Sequence, residues 1–346
     1  MEFYQNTLAY LSSVLASFLQ KYHVQKPPCF TVSIRLTPVA LCFLLSGCAS
    51  QNCGNDTSSQ WADKNQLIED IRILTSDDLA GRKTNTIGAE KTRQYLSARF
   101  IELGLSPWQK EFMLPFVYRQ NFADKQGINL IATIKSKQAS QRWRIITAHY
   151  DHLGSRGSKV FAGADDNASG IAAMLAIAKQ WQQDGDPAVN LMLVATDAEE
   201  PGLFGSYALV QQLLTLPDMQ LEMSLNLDMI GHPSRPKAIY IEGEQNVSQF
   251  KQIKHQLQDY NNLCVRQSRS RLNDGSMLKI NWLRASDHYP FHKAGIPWLY
   301  LGVPTHKQYH TVEDTLDTID INFLAAVTET AFTLLKLDKQ RIIVKR

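Results

Sequence analysis

Ile145-Ile-Thr-Ala-His-Tyr-Asp151 is an apolar run that ends abruptly on a histidine and an aspartate. Its first half reads as a buried strand, so the switch at His149 places ionisable side chains at the strand's carboxyl end. Asn190-Leu-Met-Leu-Val-Ala-Thr-Asp-Ala-Glu-Glu200 repeats the design with adjacent carboxylates at Glu199 and Glu200, and Ser224-Leu-Asn-Leu-Asp228 delivers one more. Between and after these runs, residues 168–181, 203–214, 247–260 and 321–335 carry apolar side chains at helical spacing. Strands alternating with helices of this length predict an α/β fold, a three-layer sandwich with a mixed, mainly parallel central β-sheet flanked by helices. Sheets of that kind bind ligands beyond the carboxyl ends of their strands. A polar strand end is ordinary, but three of them rich in acids and histidine mark a site.

The rest of the chain extends the same pattern. Helical spacing recurs over 65–74 and 88–103, the second ending at Gly104 as a natural cap. Further strands are expected at 108–113, 128–134, 143–148, 238–241 and 297–301. No linker or internal repeat interrupts 61–340, which is read as a single catalytic domain. With 346 residues, 44% of them hydrophobic, the chain has enough apolar material for a large core. Its 36 basic against 33 acidic residues give a net charge of +3, with no local basic run. Phosphate binding needs a concentrated basic surface, so no nucleic-acid partner is expected.

The first 47 residues behave differently. Arg35 precedes the apolar stretch Val39-Ala-Leu-Cys-Phe-Leu-Leu45, which runs into Leu45-Ser-Gly-Cys48. Seven apolar residues are too few to span a bilayer, which favours a secretory signal over a membrane helix. The ending resembles the lipobox of bacterial lipoproteins. That resemblance implies a signal peptide over 1–47, a lipid anchor at Cys48, and, with Ala49 following, a place in the cell envelope at the outer membrane. Residues 48–60, rich in Asn, Ser and Gln, read as a polar tether. With Cys48 lipidated, Cys53 and Cys264 remain as a possible disulfide pair.

Gly163-Ala-Asp-Asp-Asn-Ala-Ser-Gly170 adds two acids among small residues at the entrance of the 168–181 helix, where capping by Asp166 or Asn167 is the plain alternative. Tyr309-His-Thr-Val-Glu-Asp314 adds a late histidine. Oxygen and imidazole donors in this mixture suit zinc and related divalent ions. They outnumber what one tetrahedral ion needs and suit a pair of ions about 3.5–4 Å apart sharing a carboxylate. Spacing alone leaves open which of Asp165 and Asp166 turns inward.

These motifs, together with His149-Tyr-Asp-His-Leu-Gly154, Asp197-Ala-Glu-Glu-Pro-Gly-Leu-Phe-Gly-Ser206, Asn226-Leu-Asp-Met-Ile-Gly231 and Ser286-Asp-His-Tyr-Pro-Phe291, resemble in order those of the M28 metallopeptidases, the co-catalytic zinc aminopeptidases. The resemblance covers roughly residues 65–337. It implies two Zn2+ ions, one held by His149 and Asp228, the other by Glu200 and His310, with Asp166 bridging them. It also implies a cis peptide bond after Asp166. Glu199 matches the general base, and Tyr309 is placed to donate to the developing oxyanion. Asp151 matches the residue that orients the first histidine, while Asp287 and His288 are expected to shape the pocket. His152, His292 and His306 receive no role. The implied activity is removal of N-terminal residues from peptides with a free N-terminus. Related alternatives are a glutaminyl-peptide cyclase, which usually uses one zinc, and a non-catalytic envelope lipoprotein on the same scaffold. A retained Glu199 argues against the last, since a base adds no metal ligand.

Overall fold

The computed structural model describes residues 56–233, 237–267 and 281–343. The segment 1–47, Cys48, Cys53 and most of the 48–60 tether therefore lie outside the described residues. The strands are β1 (Ser106–Pro107), β2 (Met113–Gln120), β3 (Ala123–Ile134), β4 (Arg142–His149), β5 (Gly154–Arg156), β6 (Lys159–Phe161), β7 (Asn190–Thr196), β8 (Gln220–Leu227), β9 (Ala238–Glu242), β10 (Cys264–Gln267) and β11 (Trp298–Gly302). The helices are α1 (Lys64–Leu74), α2 (Ile87–Glu102), α3 (Gly170–Asp184), α4 (Phe204–Leu213), α5 (Phe250–Asn261), α6 (His288–Lys293) and α7 (Ile321–Leu335).

One mixed sheet runs in the order β1-β3-β7-β4-β8-β11-β9-β10, with β2 also paired to β3. Its centre is parallel: β4 lies between β7 and β8, and β11 continues beyond β8 in the same direction. Antiparallel pairing begins on either side, at β3 against β7 and at β9 against β11. β5 and β6 form a separate small hairpin. β2 runs from Met113 to Gln120, later than the expected strand at 108–113. It carries Pro115, which a strand tolerates where it lies at an edge, as β2 does.

The central strands are buried on both faces, which explains their unbroken apolar runs. Along β7, Leu191, Leu193 and Ala195 face one apolar layer while Met192 and Val194 face the other. The first layer takes Leu67 and Ile71 of α1, Leu96 and Phe100 of α2, and most of α3 and α7. The second takes Leu209 and Leu213 of α4 with Phe291 of α6. Helix starts are set by local chemistry. The Asp63 carboxylate accepts from Asn65 N and Gln66 N at 3.0 and 3.2 Å, and Asp320 accepts from Phe323 N at 3.1 Å at the head of α7. Gly104 follows α2 with φ of 65°, the left-handed cap its position calls for.

The chain enters the sandwich through a buried acid on α7. Backbone N–H groups of Gln60, Trp61 and Ala62 donate to Glu329 Oε1 at 2.6, 2.6 and 2.9 Å. Cys264 is disulfide-bonded. Among the described residues no helix is long and apolar enough to cross a membrane.

Candidate metal centre

The parallel strands β4, β7 and β8 end together, and their ends carry His149, the Asp197–Glu200 segment and Asp228. A turn at Ala164–Ser169, leading into α3, brings in Asp166, and the loop after β11 brings in His310. Asp166 lies between two groups of donors. Its Oδ1 is 3.2 Å from His149 Nε2, which is 3.3 Å from Asp228 Oδ1. Its Oδ2 is 3.1 Å from His310 Nε2, which is 3.3 Å from Glu200 Oε2. Ligands at tetrahedral zinc, with bonds of about 2.0–2.1 Å, stand roughly 3.3 Å apart. The separations on both sides of Asp166 match that spacing, so the residues present fit a pair of such ions.

The charges give the same answer. Burial pushes the Glu199, Asp228 and Asp151 carboxyl groups up from their usual range, and neighbouring carboxylates add to the effect against the opposing pull of His149. Burial lowers His310, but its hydrogen bonds to Asp166 and Glu200 outweigh this and hold it at about 10. Bound cations would relieve the crowding of buried acids that raises these groups.

Asp165 turns the other way. Its Oδ1 accepts from Gly231 N at 2.6 Å and His232 N at 3.1 Å, and its Oδ2 is 3.0 Å from His306 Nε2. Asn167, not Asp166, does the capping, its Oδ1 accepting from Gly170 N at 3.0 Å. The Asp166–Asn167 peptide bond is cis. Gly163, at φ of 61°, packs against the His152 ring, where a Cβ would come within 2.6 Å of it.

Asp151 meets His149 through its backbone. His149 Nδ1 meets the Asp151 backbone carbonyl at 3.0 Å, whereas the carboxylate stands 3.8 Å away. That carboxylate instead accepts from Glu199 N at 3.1 Å, Glu200 N at 3.4 Å and Thr84 Oγ1 at 3.1 Å. It therefore fixes the backbone that presents the two glutamates. Asp287 is buried and accepts from the Thr196 hydroxyl, and His288 beside it is stacked on Trp298 and Tyr300 at 4.7 and 4.5 Å.

Three contributors escaped the sequence reading. Asp314 accepts from Asp165 N at 2.9 Å and Asp166 N at 3.1 Å, which sets the turn that aims Asp166. Arg82 is buried and donates to the carbonyls of Leu74, Tyr150, Ala162 and Gly163 at 2.5–2.9 Å, tying the chain after β4 to the Asp166 turn. His152 Nδ1 lies 2.8 Å from Glu200 Oε1. Of the three, Asp314 and His152 sit in quoted motifs, while Arg82 acts through contacts that spacing does not encode.

A cavity of about 450 Å³ opens over the cluster, lined by Glu199, Glu200, Asp166, Tyr309, Trp282 and Tyr300 among others. The Tyr309 ring stacks on His310 at 3.8 Å. Its hydroxyl is pushed up by burial and by the charges of Asp166, Asp228, Glu200 and Glu199, so it stays protonated.

An α/β sandwich carrying an acid and histidine cluster of this kind has the donors of a metal-dependent enzyme. The sequence matches the model of peptidase family M28 over residues 129–335, and the chain belongs to that family of zinc-dependent metallopeptidases. It is 27% identical over 244 residues to the aminopeptidase YwaD of Bacillus subtilis, covering 65% of this chain and 48% of that one. It is 23% identical over 302 residues to a glutaminyl-peptide cyclotransferase of Bos taurus, covering 77% and 78%. The crystal structure of LapB from Legionella pneumophila superposes with a TM-score of 0.62 at 18% identity, over 82% of this chain and 79% of that one, which shows the shared fold.

Proposed function

We propose that the chain is an aminopeptidase with a two-zinc centre that releases N-terminal residues from peptides. The observation that carries this reading is the division of Asp166, one oxygen toward His149 and Asp228 and the other toward His310 and Glu200. When bound, the ions supply Lewis acidity, lowering the pKa of water and polarising the scissile carbonyl. Glu199 takes the proton of the attacking water and passes it to the departing amine. That role requires an ionised carboxylate, which burial and the charges of Asp228, Asp287 and Glu200 oppose until cations neutralise the cluster. The Tyr309 hydroxyl donates to the oxygen that gains charge in the tetrahedral transition state. Asp151 and Asp314 hold the backbone of Glu199, Glu200 and Asp166 in place through the hydrogen bonds described above.

The relationship to a glutaminyl-peptide cyclotransferase gives the second reading, in which the substrate's own amine attacks its glutamine side chain. Five candidate metal donors with a base beside them favour hydrolysis. Hydrolysis of leucyl and alanyl arylamides by the zinc-loaded enzyme, and loss of most activity when their amines are acetylated, is the expected result, because a site shaped around the amine leaves polar groups unpaired when it is blocked. Equal turnover of free and acetylated arylamides would remove the aminopeptidase assignment.

The proposed location is the cell envelope at the outer membrane, with lipid on Cys48, a reading supported by Leu45-Ser-Gly-Cys48. Mass spectrometry of membrane-extracted protein is expected to find a lipidated Cys48 as the first residue, and an unmodified Cys48 within an uncleaved chain would reject it.

A further inference from the structure

The chain enters the sandwich beside a bonded cysteine. Ser58 N donates to the Asn261 carbonyl at 3.0 Å, and Asn262 Nδ2 donates to the Asp56 carbonyl at 3.1 Å. The two stretches thus pass each other in opposite senses, 58 against 261 and 56 against 262. Going back from Asp56 the next cysteine is Cys53, and going forward from Asn262 the next is Cys264. Three extended residues span at most about 11 Å and two about 7 Å. Both cysteines are therefore within reach of the Cα separation of about 4.4–6.8 Å that a disulfide requires.

Cys264 is disulfide-bonded, 2% exposed, and the first residue of β10, the strand that ends the sheet beyond β9. It belongs to the second apolar layer with Ala238, Tyr240 and Trp282. A sulfur so enclosed is closed to a second copy, so the bond lies within the chain. The remaining cysteines are Cys29, Cys42, Cys48 and Cys53. The compact unit that holds the sheet runs from Asn52 to Arg346, and the sequence of that span has only Cys53 and Cys264. The envelope reading above narrows the choice in the same way, since it removes Cys29 and Cys42 with the signal peptide and puts lipid on the Cys48 sulfur.

We propose that Cys264 is bonded to Cys53, and that the bond is a clasp fastening the entering chain to the edge strand of the sheet. The sulfur–sulfur bond forms as the two thiols give up two protons and two electrons, passed by exchange to a disulfide-bearing oxidant protein outside the cytoplasm. Closing a loop from 53 to 264 restrains the unfolded chain and so stabilises the fold. The clasp also shortens the leash. Residues 49–52 alone then separate it from the lipid on Cys48, at most about 18 Å from Cys48 to Cys53, so the catalytic domain is held close to the membrane. The leash rests on the envelope reading, whereas the bond needs only an oxidising compartment.

The test uses the full chain, extracted from membranes without reductant, its free thiols alkylated and its peptides mapped by mass before reduction. A linked pair of peptides carrying Cys53 and Cys264, two hydrogens lighter than their sum, is expected. An alkylated Cys264, or a bond from it to Cys29, Cys42, Cys48 or a second copy, overturns the clasp. Cys53→Ser should lower Tm by about 5 °C and quicken amide exchange over Cys264–Gln267, with leucyl arylamide hydrolysis unchanged. An unshifted Tm would remove the fastening role. The same substitution in a Cys264→Ala chain should have no further effect, and an added loss there would overturn the pairing. The same spectra report on Cys48. A linked pair with an unmodified Cys48 rejects the envelope reading, and the leash with it, but leaves the bond; lipid on Cys48 beside an alkylated Cys264 does the reverse.

Discussion

Asp165 and Asp166 are neighbours, both buried, and face different partners: one meets the 231–232 backbone and His306, the other His149 and His310. Only a charged carboxylate placed like Asp166 can serve two cations. Asp166→Asn is therefore expected to lower zinc content at both positions, with Asp165→Asn milder, as metal analysis of the two proteins would show. Loss of zinc in the Asp165 variant alone would contradict the placement. Glu199 is different in kind. Glu199→Gln should cut peptide hydrolysis by at least about 10²-fold with zinc content nearly unchanged, the size expected of a general base; near-normal turnover would remove it from that role. At this scale the sequence was informative wherever a motif sat at a strand end, as with His149, Glu199, Glu200 and Asp228. It was silent on His152 and Arg82, because a side chain's partner far along the chain leaves no trace in local spacing. It named Asp151 as the partner of His149 but could not tell that the backbone carbonyl, rather than the carboxylate, makes the contact.

The elements explain why those residues meet. Three parallel strands ending in register bring donors from 149, 197–200 and 228 together before any loop contributes. Periodicity found α7 over 321–335 as it stands, since its apolar residues and Asp320 cap agree. It missed the β5–β6 hairpin, too short and polar to show a pattern, and misplaced β2, whose Pro115 and edge position dilute the signal. Arg82 works at this scale, joining α1, the chain after β4 and the Asp166 turn. Arg82→Met should destabilise the fold by about 3–5 kcal/mol, because it leaves buried carbonyls without donors, and should weaken zinc retention as well. Denaturant unfolding and metal content check both halves. On α6, burial depresses His288 to about 3 despite the carbonyls that favour its charged form. Between pH 6.5 and about 3 the unfolded chain binds a proton that the folded one refuses, so stability is full above 6.5 and falls with pH through this window. At pH 5 the loss from this one residue is about 2 kcal/mol. His288→Gln should lose correspondingly less stability between pH 7 and pH 5 than the wild type, in paired denaturant titrations; an identical loss would show that His288 titrates normally.

At the scale of the molecule, one sheet supplies both the core and the platform for the cluster, and the chain is fastened to it at Gln60–Ala62 through Glu329. The family was legible because six motifs kept their order along the chain. The choice between peptide hydrolysis and glutamine cyclisation was less so, since the chain is similar in sequence to relatives of both kinds. The difference lies in which atom attacks: water deprotonated by Glu199, or the substrate's own amine. Incubating the zinc-loaded enzyme with a leucyl peptide and an N-terminal glutaminyl peptide, and identifying the products by mass, separates them. The account predicts release of free leucine from the first. Loss of ammonia from the glutaminyl peptide with no leucine released would contradict it.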